Sequence, residues 1–321
     1  MRPDRPGEGP ALLLGEVRTG LLQHSVELPG AATEKMLGLR HGERVRSSQR
    51  PNVRAQSPDL LTGVDCPLAT TSHRAVRGVG TVLSHAVLTE GRVLQASALA
   101  RIAAGGDRRR PWGHYLAHPG TVEVIGRGEA AELAAGHLAA AEPGTGLDLG
   151  GLTERLLTEV QREAGLDRRA PFRSRRTRLR WTAVRADLAG EEPGGRLTVE
   201  DDTLRTLRLT LESVDPVEVA AFCEDLALHD WLLSTLGRLI ERSGLGSDPG
   251  PGPVQRLRPA VNHLMHLWMP GARVARPLAP LWEGLETRPG FTRQWTASVQ
   301  RVRDHLALQA VGLTAPTVRG D

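Results

Sequence analysis

VGTVLSHAVLTEGRVLQASAL, residues 79–99, decides how the first half of the chain folds. Two apolar runs, VGTVLSHAVL and RVLQASAL, flank Thr89-Glu90-Gly91, where a glycine able to take a positive φ suits a tight antiparallel hairpin. Short strand signals dominate outward from it, from Ala11 to about Gly126. A second hairpin is expected where WGHYLA (112–117) meets TVEVIG (121–126) through the Pro-Gly turn His118-Pro119-Gly120. Helical patterning takes over at Glu129–Ala140 and at Leu152–Ala164, so both segments should cover a sheet. An arginine-rich strand follows. Beyond the turn GEEPGG (190–195), Leu207, Leu209 and Leu211 alternate with Thr206, Arg208 and Thr210, which predicts a hairpin buried on one face.

The second half changes period. Asp215 as N-cap, Pro216 at the first helical position and Glu218 three residues past the cap open a helix. Its stripe is Val219, Phe222, Leu226, His229, Leu233, Leu236 and Ile240, and Ser243-Gly244 should end it. A Gly/Pro-rich break at 244–253 precedes further helices at Pro259–Met269 and Phe291–Val311, with a short turn near Leu278–Leu285. The expected fold class is α+β. An antiparallel β-rich region with two sheet segments and covering helices spans residues 1–213, and an α-helical domain spans 214–321.

At 321 residues, 40% hydrophobic and 24% charged, the chain has the composition of a globular protein and can hold two domains. The apolar run at Ala11–Leu14 is too short for a signal-peptide core or a membrane span, which makes the cytoplasm the expected location. Only Lys35 is a lysine among 41 basic residues, and Ala, Gly and Pro abound, a bias typical of GC-rich coding. That bias tempers the reading of eight arginines between Arg168 and Arg185 as a phosphate-binding surface. In a regular strand Arg176, Arg178 and Arg180 share one face, flanked by Arg173 and Arg175, so a basic ridge for nucleic acid or phosphate is geometrically available. A solvated strand face carries the same pattern.

No P-loop, GxGxxG, GxSxG, HExxH or CxxC motif is present, and no cofactor is expected. Asp225 and His229 stand four apart on the long helix, so the carboxylate could orient the imidazole as in a base-and-orienter pair; a histidine on an apolar stripe is equally a core residue. His263 and His266, three apart, could both reach a zinc ion given a third ligand. Cys66 and Cys223 fit no metal or redox spacing and read as reduced thiols. A nucleophilic Cys66 would need a base that the sequence does not place.

Four blocks carry a resemblance: SSQRPNVRAQSPDLLTGVDCPLAT (47–70), VGTVLSHAVLTEGRVLQASALARI (79–102), RRPWGHYLAHPGTVEVIGR (109–127) and FCEDLALHDWLL (222–233). They resemble a family of actinobacterial proteins of unassigned function, encoded in a cluster beside a variant P-loop protein. The resemblance implies partner subunits, a P-loop ATPase among them, and no site residues. With the missing catalytic motifs and tryptophans concentrated in amphipathic helices, it makes a non-enzymatic accessory or adaptor protein the leading expectation. Nucleic-acid binding through the arginine strand and an enzyme built on Asp225 and His229 are the alternatives.

Overall fold

The computed structural model of the chain describes residues 12–72, 76–140, 146–243, 257–258 and 263–314. The strands are β1 (Leu12–Leu21), β2 (Arg46–Ser48), β3 (Arg54–Gln56), β4 (Leu60–Leu68), β5 (Val76–Thr89), β6 (Val93–Ala104), β7 (Thr121–Ile125), β8 (Thr177–Arg185), β9 (Gly194–Val199) and β10 (Leu204–Leu211). The helices are α1 (Gly30–Leu37), α2 (Trp112–Leu116), α3 (Ala130–Ala139), α4 (Leu149–Gln161), α5 (Ala186–Ala189), α6 (Pro216–Ser243), α7 (Ala279–Thr287) and α8 (Phe291–Thr314). Short 3-10 turns stand at Met265–Leu267 and Arg276–Leu278. No helix among the described residues is long and apolar enough to cross a membrane.

The first expected hairpin forms between β5 and β6, in register from Leu83 opposite Leu99 to Thr89 opposite Val93. Glu90 and Gly91 take φ values of 48° and 57°, and the Arg92 amide donates to the Thr89 carbonyl at 3.0 Å, a tight turn inside the three-residue loop Glu90–Arg92. The second expected hairpin does not form. Trp112–Leu116 is a helical turn behind Pro111, anchored by buried Tyr115, whose hydroxyl accepts the Arg110 amide at 2.9 Å. β7 instead serves as a wedge. Beyond Leu83 and Leu99 the strands β5 and β6 diverge, and β7 fills the gap, antiparallel to β5 and parallel to β6.

The arginine strand also pairs differently from expectation. β8 lies antiparallel to β1 and parallel to β10, and the hairpin partner of β10 is β9, formed by residues that the sequence pattern assigned partly to a turn. With β9 interposed, β10 must run in the direction of β8. Nor do the strands divide into two segments. Among the described residues, ten strands make one sheet in the order β2-β3-β5-β7-β6-β1-β8-β10-β9, with β4 beside β5. β1 is the seam, hydrogen-bonded to β6 on one side and β8 on the other. The protein is a mixed α/β molecule whose large, mostly antiparallel sheet is followed by a C-terminal helical region, in keeping with the α+β expectation.

Both faces of the sheet centre are covered, so β1 is buried along nearly its whole length, Glu16 and Thr19 included. On one face Leu13, Val17, Leu179, Trp181, Leu207 and Leu209 meet Phe222 and Leu226 of α6 together with Trp282 and Phe291, so residues on both sides of position 213 share one core. On the other, Leu12, Leu14, Ile102, Val122 and Val184 meet Leu133 of α3 and Leu149 of α4. The long helix starts as its capping pattern requires, with the Asp215 carboxylate accepting the Val217 and Glu218 amides at 2.8 and 3.1 Å. It ends at Ser243; Gly244 and the break that follows lie outside the described residues, as does part of the helix expected at 259–269. The expected stripe is buried except for half-buried Leu233, but burial extends around the helix to Cys223, Glu224, Leu228 and Trp231. The reason is that C-terminal residues cover the side of α6 away from the sheet: Leu228, Trp231 and Leu232 pack with Leu264, Leu267 and Trp295.

One contact fixes the seam. Gly15 lies opposite Trp181, and a Cβ at Gly15 would overlap the indole. Gly15→Ala is therefore expected to destabilise the protein by about 1–3 kcal/mol through overpacking, read as a lowered urea midpoint with an unchanged m-value.

Candidate functional site

Strand alternation sends Leu179 and Trp181 into the core beneath α6, so Arg178 and Arg180 project to the opposite face. The register sets Arg180 opposite Glu16 and Arg178 opposite Arg18. This face is not an open ridge, because α3 and α4 lie over it. Arg180 is 12% exposed and its Nη1 donates to the carbonyls of Ala140 at 2.6 Å, His137 at 3.3 Å and Leu138 at 3.4 Å, supplying donors to the C-terminal end of α3. Its Nε lies 3.4 Å from the Glu16 carboxylate, which is 2% exposed and also 3.3 Å from Arg18. Arg18 reaches Glu154 of α4 at 2.7 Å, and Arg176 pairs with the same carboxylate at 2.5 Å. Arg175 pairs with Asp202, and Arg173 is exposed. The Arg178 guanidinium forms no hydrogen bond or ion pair with any described residue.

Glu16, Arg18, Arg178 and Arg180 line a cavity of about 160 Å³ between α3 and α4, with Leu14, Leu68, Leu133, Leu147 and Leu149 as its apolar wall. His137 shares the wall, its Nε2–H donating to the Gly15 carbonyl at 3.3 Å. Burial, helped by the Arg180 charge, pushes its pKa down to about 4, so the ring is neutral at ordinary pH.

A second charged cluster joins α6 to the sheet. Glu224, buried, forms an ion pair with Arg54 of β3 and accepts from Nε2 of His85 on β5 at 2.7 Å; Nδ1 of the same ring faces Asp59 at 3.1 Å. Burial alone would neutralise both partners. The Glu224 and Asp59 carboxylates nevertheless raise the His85 pKa to about 9, and His85 with Arg54 holds Glu224 down at about 2. The result is an imidazolium between two carboxylates, running from half-exposed Asp59 to the buried helix.

Asp225 and His229 do meet, but inside the core. His229 is 1% exposed, with Nδ1 donating to the Asp225 backbone carbonyl at 2.7 Å, Nε2 accepting the Met269 amide at 3.3 Å, and Trp268 and Trp282 edge-on to the ring. Burial raises the Asp225 carboxyl, which accepts the Gly271 amide at 3.3 Å. Both ring nitrogens are thus occupied within the protein. His263 is bonded to the Arg92 guanidinium, His266 is exposed, and no group of three His, Cys, Asp or Glu among the described residues could hold a metal ion. Cys66 and Cys223 are free, and burial raises both thiols, which leaves them protonated.

The tryptophans beyond residue 230 are mainly structural glue. Trp231, Trp282 and Trp295 are buried, and Trp268 stacks on Trp295 at 4.2 Å. They brace α6 against the C-terminal segments rather than present a docking face. The exposed tryptophan is Trp112, at 39%, seated over Gly63 of β4 with the Arg109 guanidinium 5.2 Å from its ring. Leu116, one turn along α2, and Leu61, two residues from Gly63, are exposed beside it. β4 is paired only with β5 among the described residues, and its one backbone hydrogen bond from outside the sheet is the Leu147 amide to Pro67.

No family model, curated protein or solved structure matches the chain.

Sequence reasoning passed over Glu16, Arg18, Arg54, Asp59 and His85. A signal existed for one of them: Glu16 is the single acid in LLLGEVRTGL, a strand that opens on Leu12, Leu13 and Leu14.

Proposed function

We propose that this chain is a non-enzymatic accessory or adaptor protein of a multi-protein assembly, and that it docks a partner along β4 and α2. The observation that carries this reading is the outer edge of β4, unpaired among the described residues, beside exposed Leu61, Trp112 and Leu116. Edge strands are usually blunted by lysine, proline or a cover. From Leu60 to Cys66 the edge has neither lysine nor proline, and Asp65 is its single charge. A partner strand added there would gain main-chain hydrogen bonds, and Trp112 and Leu116 would give it an apolar anchor. Arg77, Arg108, Arg109 and Arg110 are exposed around the patch against Asp65 and Asp107, so the fitting segment is extended and bears apolar and acidic side chains. The resemblance in the four sequence blocks names the class of partner, a P-loop ATPase encoded beside this chain, and with it a cytoplasmic setting.

Nucleic-acid binding through Arg176, Arg178 and Arg180 is less well supported, because a phosphate backbone would compete with α3 for Arg180 and with Glu154 for Arg176.

Co-expression with that P-loop protein tests the proposal. The double variant Trp112→Ala, Leu116→Ser is expected to keep its stability within about 1 kcal/mol, since both side chains are substantially exposed, while partner affinity falls tenfold or more. A variant that binds like the parent chain overturns the assignment of this patch.

A further inference from the structure

We infer that the cavity between α3 and α4 is a binding site for a small organic monocarboxylate with a compact apolar body. Three guanidiniums, Arg18, Arg178 and Arg180, face two carboxylates, Glu16 and Asp148, in its lining. Asp148 is committed to the first turn of α4, accepting the Gly151 amide at 2.7 Å, and Glu16 is shared between Arg18 and Arg180 at 3.3 and 3.4 Å. Among the described residues the lining therefore holds one cation in excess, and the Arg178 guanidinium is the member without a hydrogen-bonded partner. Asp201 feels its charge, but that carboxylate is occupied by the amides of Thr203 and Leu204.

Register sharpens the case. Arg178 stands directly opposite Arg18 on adjacent strands, a like-charge pairing that costs free energy unless an anion lies between the two. Arg18 has Glu16 and Glu154 to offset it; Arg178 has neither. The remaining wall, Leu14, Leu68, Leu133, Leu147 and Leu149, would be left against the polar oxygens of an inorganic phosphate but suits a hydrocarbon body. A cavity of about 160 Å³ holds a body of roughly benzene size. This site is independent of the docking edge: Trp112 rests on Gly63, whereas Val64 and Leu68, at alternate positions of β4, belong to the core beneath α3.

Titration calorimetry with benzoate, benzyl alcohol and inorganic phosphate as probes tests the inference. Benzoate is expected to bind with a Kd of about 1 mM or tighter. Arg178→Met is expected to remain folded, because it breaks no hydrogen bond, and to lose about tenfold or more in benzoate affinity. Gly150→Ala provides a second probe: its Cβ would stand 2.7 Å from Glu16 Oε1 and 3.0 Å from Arg18 Nη2, so it should also weaken benzoate. No saturable benzoate binding, equal affinity in both variants, or benzyl alcohol binding as tightly as benzoate would overturn the site. Phosphate binding more tightly than benzoate would overturn the monocarboxylate assignment.

Discussion

Glu224→Gln is expected to lower the stability of the protein by about 3–5 kcal/mol, because it leaves the Arg54 guanidinium and the His85 ring buried against a neutral amide. The loss should depend on pH in a direction that identifies its cause. His85 has a folded pKa of about 9, above the ordinary 6.5, so its contribution is complete below pH 6.5 and disappears as the pH rises through 9. Glu224 has a folded pKa of about 2, below the ordinary 4.5, so its contribution is complete above pH 4.5 and disappears as the pH falls through 2. The cluster therefore acts in full between about pH 4.5 and 6.5. Urea unfolding of the parent chain should show lower stability at pH 9.5 than at pH 5.5. Glu224→Gln should lose a large part of that difference, since His85 then keeps only the half-exposed Asp59 carboxylate to hold its charge. An equal slope in both proteins would show that His85 is not the titrating group.

Trp181→Ala is the other change expected to cost about 3–5 kcal/mol. The indole is fully buried, lies between β1 and β10 and fills the notch left by Gly15, so removing it opens a cavity under α6 that its neighbours, held on hydrogen-bonded strands, cannot close. Trp181→Phe keeps most of the apolar contact and should cost less than half as much. Thermal and urea unfolding of the two variants would check the ranking; equal losses would mean that the site collapses around the smaller side chain.

Local signals carried much of the fold. The Glu90-Gly91 turn and the Asp215 cap each depend on a few adjacent residues, and both form where the sequence places them. Pairing between distant strands was less legible. β7 reads as half of a hairpin, yet its position is set by the divergence of β5 and β6, and the direction of β10 depends on where β9 falls. The charged sites show the same limit. Glu224 finds Arg54 at a separation of 170 residues and His85 at 139, and Glu16 finds Arg180 at 164. Alternation does place Arg178 and Arg180 on one face, but nothing in that alternation says whether water, nucleic acid or a helix lies on it. The tryptophans beyond residue 230 likewise read as anchors from their amphipathic spacing, and what they anchor is the internal packing of α6.

Amide hydrogen exchange on the complex of this chain with the proposed P-loop partner tests docking along β4 most directly. The amides of Leu61–Cys66 that point away from β5, together with those of α2, are expected to become protected when the partner is added, and Trp112→Ala, Leu116→Ser is expected to abolish that protection. Two proteins that elute separately at micromolar concentration, or a complex in which these amides exchange as they do in the free chain, would contradict it.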